Sequence, residues 1–169
     1  IILVNDCSPD NVMEKIRKLA EQSPNIKAIR FTKNFGHHCA LMAGFRVSSG
    51  DVVVCLDDDG QTPAEECFKL IDKINEGYDA VFASYSSKKH SLFRNLGSLA
   101  NDFMARTLIG KPKELQIMSY FASNRIVADE IIKYENPYPY LQCLVLRSTK
   151  NITNLEINHQ ERLSGHSGY

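Results

Sequence analysis

Short β-branched runs alternate with amphipathic stretches through the first half of this 169-residue chain, and that alternation limits the fold more than any other feature. "IILVN", Ile1 to Asn5, has strand composition. Ser8 and Pro9 then suit the cap and first turn of a helix that places Val12, Ile16 and Leu19 on one face. A second strand is expected over Ile26 to Phe31, a second helix from His37 to Ser49 with Gly50 ending it, and a third strand over Asp51 to Leu56. The run "DVVVCL" is continuously apolar after its first residue, as a central parallel strand buried on both faces would be. Thr62, Pro63 and Glu65 have the spacing of a cap, a first helical proline and an acid three residues after the cap. A third helix is expected from there to Gly77, with Cys67, Leu70, Ile71 and Ile74 along one side. A strand from Asp79 to Ser84 completes the series. Units of this kind, joined by right-handed crossovers, predict an α/β fold: a parallel sheet with helices on both faces.

From about His90 the pattern changes. "SLFRNLGSLANDFMARTLIG" is a long amphipathic segment, Gln116 to Asn124 reads as a strand and Arg125 to Tyr134 as a helix. The Pro- and Tyr-rich "YENPYPYL" follows, and Asn151 to His159 is the last strand. No repeat or linker divides the chain, so one domain over residues 1–169 is expected. Because "IILVN" is already inside a strand pattern, that domain reads as a fragment of something longer.

Twenty basic residues balance twenty acidic ones, so no global field recruits nucleic acid, and an anionic partner must be held by a local cluster. Five cysteines form an odd set without C-x-x-C spacing. They read as reduced, buried thiols in a cytosolic setting, with neither a disulfide framework nor a zinc site. No apolar run approaches the roughly 18 residues needed to cross a bilayer.

In open α/β sheets, ligands bind at the carboxyl ends of the strands. Here the loops at those ends are "NDCSPD", "TKNFG", "DDDGQTP" and "SYSSKKH", which would gather Asp6, Lys33, Asp57, Asp58, Asp59 and Lys88 at one edge. Three adjacent carboxylates repel one another, and a helix N-terminus needs only one. A hard divalent cation, Mg²⁺ or Mn²⁺, accounts for the excess, held by one or two carboxylates while phosphate oxygens and water fill its other positions. Alternation in an extended turn puts Asp57 and Asp59 on one side, continued by Gln61, with Asp58 facing elsewhere.

Two families place D-x-D after an apolar strand. "DDDG" resembles the haloacid dehalogenase phosphatases, which would make Asp57 a nucleophile. Gln61 stands where that pattern has Thr or Val, and the later acidic pair, Asp129 and Glu130, falls in a helical pattern. The broader match is carried by "ILVNDCSPDN", "TKNFGHHCALMAGFRVSSGDVVVCLDDDGQTPAE", "KKHSLFRNLGS" and "ERLSGHSGY". In that order these resemble family 2 glycosyltransferases, and among them the branch of dolichyl-phosphate mannose synthases and bacterial undecaprenyl-phosphate sugar transferases.

That resemblance implies a nucleotide-diphospho-sugar transferase (A-type glycosyltransferase) fold, mostly parallel, whose usual first strand would precede "IILVN". It makes residues 1–89 the nucleotide-binding half and 90–169 the acceptor half. It implies metal-dependent, inverting transfer from a nucleotide sugar, a UDP-sugar in preference to GDP-mannose, to a polyprenyl phosphate. The location it implies is cytoplasmic, at the inner face of the membrane. Asp6 would read the base, Lys33 approach the nucleotide, and Asp57 and Asp58 lie along it. Asp57, Asp59 and Gln61 would hold the ion, and Asp59 would act through it on the leaving group. Arg162, His166 and Ser167 match R-x-x-G-x-S, a segment expected over the pyrophosphate. Lys88, Lys89, His90 and Arg94 open an amphipathic helix and read in two ways, as a solvated charged face or as an interfacial element that meets the acceptor phosphate. Ser119 stands where many members place an Asp base. A phosphate acceptor is already anionic near neutral pH, because its second pKa is about 6, so it needs positioning more than deprotonation. A phosphatase and a non-catalytic nucleotide-sugar binding module remain the alternatives.

Overall fold

The computed structural model describes residues 1–58, 60–61, 63–85, 107 and 110–158. In chain order these form β1 (Ile2–Asn5), α1 (Val12–Gln22), β2 (Lys27–Arg30), α2 (His37–Val47) and β3 (Val52–Cys55). A 3₁₀ turn (Ala64–Glu66) leads into α3 (Cys67–Asn75), followed by β4 (Ala80–Ser84), β5 (Phe121–Asn124), α4 (Arg125–Ile132), α5 (Leu141–Ser148) and β6 (Ile152–Glu156).

β1 and β2 pair in parallel, Ile2 opposite Lys27 through Asn5 opposite Arg30. The other four strands form a second sheet in the order β3-β5-β4-β6. The parallel expectation holds for β1 with β2 and for β4 with β6. It fails at β5, which runs antiparallel to both of its neighbours. Through β4 the first half of the chain alternates strand and helix; β5 belongs to the second half, where that pattern stops, and it enters between β3 and β4 from the opposite direction.

Side-chain alternation along β4 divides the core into two layers. Ala80 and Phe82 pack with Phe121 against Phe45 of α2, Val127 and Ile131 of α4, and Leu141 and Val145 of α5. Val81 and Ala83 pack with Ala122 and Tyr120 against Leu70 and Ile74 of α3. The sheet therefore carries helices on both faces, as expected. Each fully buried apolar side chain of this size contributes about 1.5–3 kcal/mol relative to exposure.

β3 departs from its expectation. Val52, Val53 and Val54 are half-buried, because β5 covers one edge while the other faces an open cleft. That cleft, about 950 Å³, runs between β1 and β3 and is lined by Ile2, Val4, Val53 and Val54, with Ile16 of α1 and Leu41 of α2 closing its sides.

Element ends differ from the sequence reading for local reasons. α1 begins at Val12, three residues after Pro9. The Asp10 carboxylate accepts the Val12 N–H at 3.1 Å, while Ser8 is held by the Asn5 side chain. Leu19 is exposed at 45%. α2 ends at Val47, where the Ser48 N–H and hydroxyl both return to the Phe45 carbonyl, two residues before Gly50. Pro63 is extended (φ −59°, ψ 132°), so the third helix opens with a 3₁₀ turn; the Thr62 cap lies outside the described residues. Only Phe121 to Asn124 of the expected Gln116–Asn124 strand is strand. Gln116 instead exchanges backbone hydrogen bonds with the Asn154 side-chain amide, at 2.8 and 2.7 Å. α5 had no sequence signal: "LQCLVLRS" is apolar on nearly every side, and such short runs do not announce their period. The cysteines are unpaired, and against the expectation of buried thiols only Cys55 is buried, while Cys7 is exposed.

Candidate functional site

β1 delivers Asp6 to the carboxyl edge of its sheet, where the side chain works on the neighbouring loop. One carboxylate oxygen accepts the Phe35 N–H at 2.7 Å and the other accepts the Gly36 N–H at 2.8 Å. Gly36 has φ 91°, a left-handed value that L side chains rarely adopt, so the tether depends on a glycine there. Within the loop the Phe31 and Phe35 rings meet edge-on with centroids 5.3 Å apart, and the Lys33 ammonium lies 4.9 Å above the Phe35 ring. Asp6 therefore sets the shape of the loop that carries Lys33. Each of its oxygens keeps a second lone-pair direction for a ligand N–H.

β3 delivers the acidic loop to the same region. Asp6, Asp57 and Asp58 line one cleft, although 50 residues of chain separate the first two loops; Lys33 is outside that lining. Asp57 is half-buried and Asp58 exposed. The Ser119 hydroxyl donates to one oxygen of Asp57. The turn passes Gly60 at φ 71°, again in the left-handed region. Beneath the loop, burial pushes the Cys55 thiol far up from its ordinary range and the Asp57 charge adds to this, so Cys55 stays a protonated core residue.

The residues present fit a hard cation of the Mg²⁺ or Mn²⁺ kind. Among the described residues no three His, Cys, Asp or Glu side chains form an ion cage. One oxygen of Asp57 accepts from Ser119, and Asp57 lines the cleft. A cation that draws its remaining ligands from phosphate and water needs no more from the protein than one or two such groups.

Asp59, Lys88, Lys89, His90, Arg94, Arg162, His166 and Ser167 lie outside the described residues. Gln61 is half-buried on the turn after Gly60. Asp129 and Glu130 are on α4, exposed, and engaged with Arg125 of that helix and with Lys133 at its C-cap. They are thus not at a strand end, where the phosphatase pattern needs its later pair. His38 packs edge-on against Tyr140, centroids 4.8 Å apart. Burial, then the neighbouring His37, lowers its pKa, which suits a packing histidine. Sequence reasoning missed the contact of Glu66 with Asn158 at 2.9 Å and the use of Phe35 as a platform for Lys33. An exposed aromatic beside "TKN" was the one available signal for the second.

Residues 1–134 match the model of "Glycosyl transferase family 2". The chain belongs to that family. Among curated glycosyl transferase family 2 relatives, it is 32% identical over 170 residues to the undecaprenyl-phosphate 4-deoxy-4-formamido-L-arabinose transferase of Yersinia pestis, strain Pestoides F. The match takes in 100% of this chain and 52% of that protein. The same figures hold for the protein of that name from Yersinia pseudotuberculosis serotype I. The chain therefore spans about half the length of the curated relatives it matches. Among solved structures, glucosyl-3-phosphoglycerate synthase from Mycobacterium tuberculosis with Mn²⁺, UDP-glucose and phosphoglyceric acid superposes with a TM-score of 0.63 at 19% identity. That superposition covers 95% of this chain and 60% of that one. TarS from S. aureus superposes with a TM-score of 0.55 at 12% identity, covering 93% and 50%. These two likenesses show that the family 2 transferase fold extends over most of this chain.

Proposed function

We propose that this domain transfers a sugar, with inversion, from a nucleotide-diphosphate sugar to a polyprenyl phosphate. The observation that carries the reading is the convergence of Asp6 and Asp57, from loops after different strands, on one cleft at the carboxyl edge. The names of the curated relatives support the acceptor, and the Mn²⁺ and UDP-glucose held by the mycobacterial synthase support the donor class and the metal.

Asp6 accepts the imide N–H of a uracil through a remaining lone pair, which favours a UDP-sugar over GDP-mannose. Lys33, held over Phe35, supplies a positive charge beside the nucleotide. Asp57, with Asp59 and Gln61, would hold Mg²⁺ or Mn²⁺, and Asp58 lies along the nucleotide. When bound, the ion offsets the charge that develops on the departing nucleoside diphosphate. Arg162 and Ser167 would add positive charge and a hydroxyl to the diphosphate. Lys88, Lys89 and Arg94 would orient the acceptor phosphate at the cytoplasmic face of a membrane. No helix among the described residues is long and apolar enough to cross one. The acceptor oxygen attacks the anomeric carbon opposite the diphosphate and needs no base, consistent with Ser119 where many family members have an Asp.

A thermal-shift panel of UDP, GDP and their sugars, with and without Mn²⁺, tests the donor. Stabilisation by UDP that requires Mn²⁺ and is lost in Asp57→Asn is expected. Indifference to every nucleotide, or release of phosphate from phosphomonoesters abolished by Asp57→Asn, would overturn the reading. Transfer of sugar to a short polyprenyl phosphate separates an enzyme from a binding module.

A further inference from the structure

The pairing of β3 with β5 sets Cys55 opposite Phe121 and Val54 opposite Ala122, so each pair of residue numbers has the same sum. Carried two residues past the end of β3, that register places Asp57 opposite Ser119. Directly opposed residues on one face of an antiparallel pair have Cβ atoms about 4.5–5.5 Å apart, close enough for a hydroxyl to reach a carboxylate. The hydrogen bond from Ser119 to Asp57 agrees with this extension of the register. Both residues are half-buried, so the contact is partly shielded from competing water.

We propose that Ser119 is a positioning residue that makes Asp57 a one-oxygen ligand and thereby selects a small octahedral cation. This rests on the reading of Asp57 as a metal-side carboxylate. A free carboxylate can turn both oxygens toward an ion, as Ca²⁺ sites use, with six to eight ligands at about 2.3–2.6 Å. The Ser119 hydrogen bond takes one lone pair of that carboxylate and restrains its rotation, which disfavours a two-oxygen grip on one ion. Mg²⁺ and Mn²⁺ accept single-oxygen ligands in a near-octahedral set, so the constraint costs them little. Partners that fix a ligating side chain commonly change metal affinity by about 10–100-fold when removed. Ser119 therefore acts through Asp57, not as a base, since its proton is already directed at a carboxylate.

The test measures Mn²⁺ binding by electron paramagnetic resonance, and Ca²⁺ by competition, in the protein with UDP present. Ser119→Ala, Ser119→Thr and Asp57→Asn are compared with wild type. Ser119→Ala should weaken Mn²⁺ roughly 10-fold while Ca²⁺ changes much less, so that the preference narrows. Ser119→Thr, which keeps the hydroxyl, should restore Mn²⁺ affinity to within about threefold of wild type. A merely structural serine would shift the melting temperature without moving the Mn²⁺ to Ca²⁺ ratio. Unchanged Mn²⁺ affinity and ratio in Ser119→Ala, with Asp57→Asn abolishing binding, overturns the proposal and leaves the metal site standing. Unchanged binding in Asp57→Asn instead removes the metal reading itself. If Ser119→Ala does not fold, Ser119→Thr decides: loss of the ratio with the hydroxyl retained overturns the proposal.

Discussion

Asn158 donates its side-chain amide to the Glu66 carboxylate across 2.9 Å, joining residues on either side of the second sheet's exit loops. Glu66 is 7% exposed and also pairs with Lys69 at 2.8 Å. The Lys69 hydrogen bond is the larger cause, and the Asn158 bond a further one, that hold its carboxyl below the ordinary range; burial opposes them. A depressed folded-state pKa contributes stability that is complete above the unfolded value, about 4.3, and is lost as pH falls through the lower folded value. Glu66→Gln is therefore expected to cost about 1–2 kcal/mol at pH 7 and to approach wild type as pH falls below the ordinary carboxyl value of about 4.3. Urea titrations at the two pH values measure this.

Asp6 binds two backbone amides at once, and an amide side chain can replace only one of those acceptors. Asp6→Asn should leave the fold intact but free the Phe35 or Gly36 N–H, lowering stability by about 1 kcal/mol. Hydrogen exchange at Phe35 and Gly36 is the direct readout: faster exchange confined to that loop is expected, with weaker UDP binding beside it.

Gly44 sits inside α2 with ordinary backbone angles, and a methyl group there would meet only Val4 Cγ2, at 3.9 Å. Replacing an interior helical glycine by alanine is worth about 0.5–1 kcal/mol when nothing obstructs it. Gly44→Ala should raise the melting temperature of this chain, whereas Gly36→Ala, at a left-handed position, should lower it.

Tyr120 is 2% exposed, and its hydroxyl has no hydrogen-bond partner among the described residues. Burial drives its pKa upward. Tyr120→Phe keeps the packing and removes a desolvated polar atom, so neutral to about 1 kcal/mol stabilising is expected; Tyr120→Ala should lose about 3–5 kcal/mol. Calorimetry of the pair separates ring from hydroxyl.

The alternation that places Val53, Phe45 and Leu70 was legible because period-2 and period-3.6 patterns are written in which residues are apolar. The direction of β5 was not, since strand polarity depends on where a chain returns from, and "YFASN" reads alike both ways. Asp6 and Asp57 were legible as edge residues once β1 and β3 were placed. That Asp6 would spend itself on the Phe35 and Gly36 amides was hidden, because a carboxylate's partner depends on loop shape. The meeting of Ser119 with Asp57 was written in register, and register needs a known strand pairing before it can be extended. α5 was missed because Leu141, Leu144, Val145 and Leu146 give buried surface without a polar side to reveal its turn.

The cleft between β1 and β3 divides the molecule mechanically. Among the described residues no backbone ladder crosses it: β1 and β2 reach the four-stranded sheet through α2, the Asp6 tether and a bond from the Lys27 ammonium to the Val47 carbonyl at 3.1 Å. Local opening follows the weakest seam, so the first thirty residues should loosen as a unit at temperatures where β4 and β5 still protect their amides. Asp6 rides on that looser unit, and Asp57 on the firmer. A ligand that bridged them would then clasp two bodies together, and the binding energy that held it would also harden the protein.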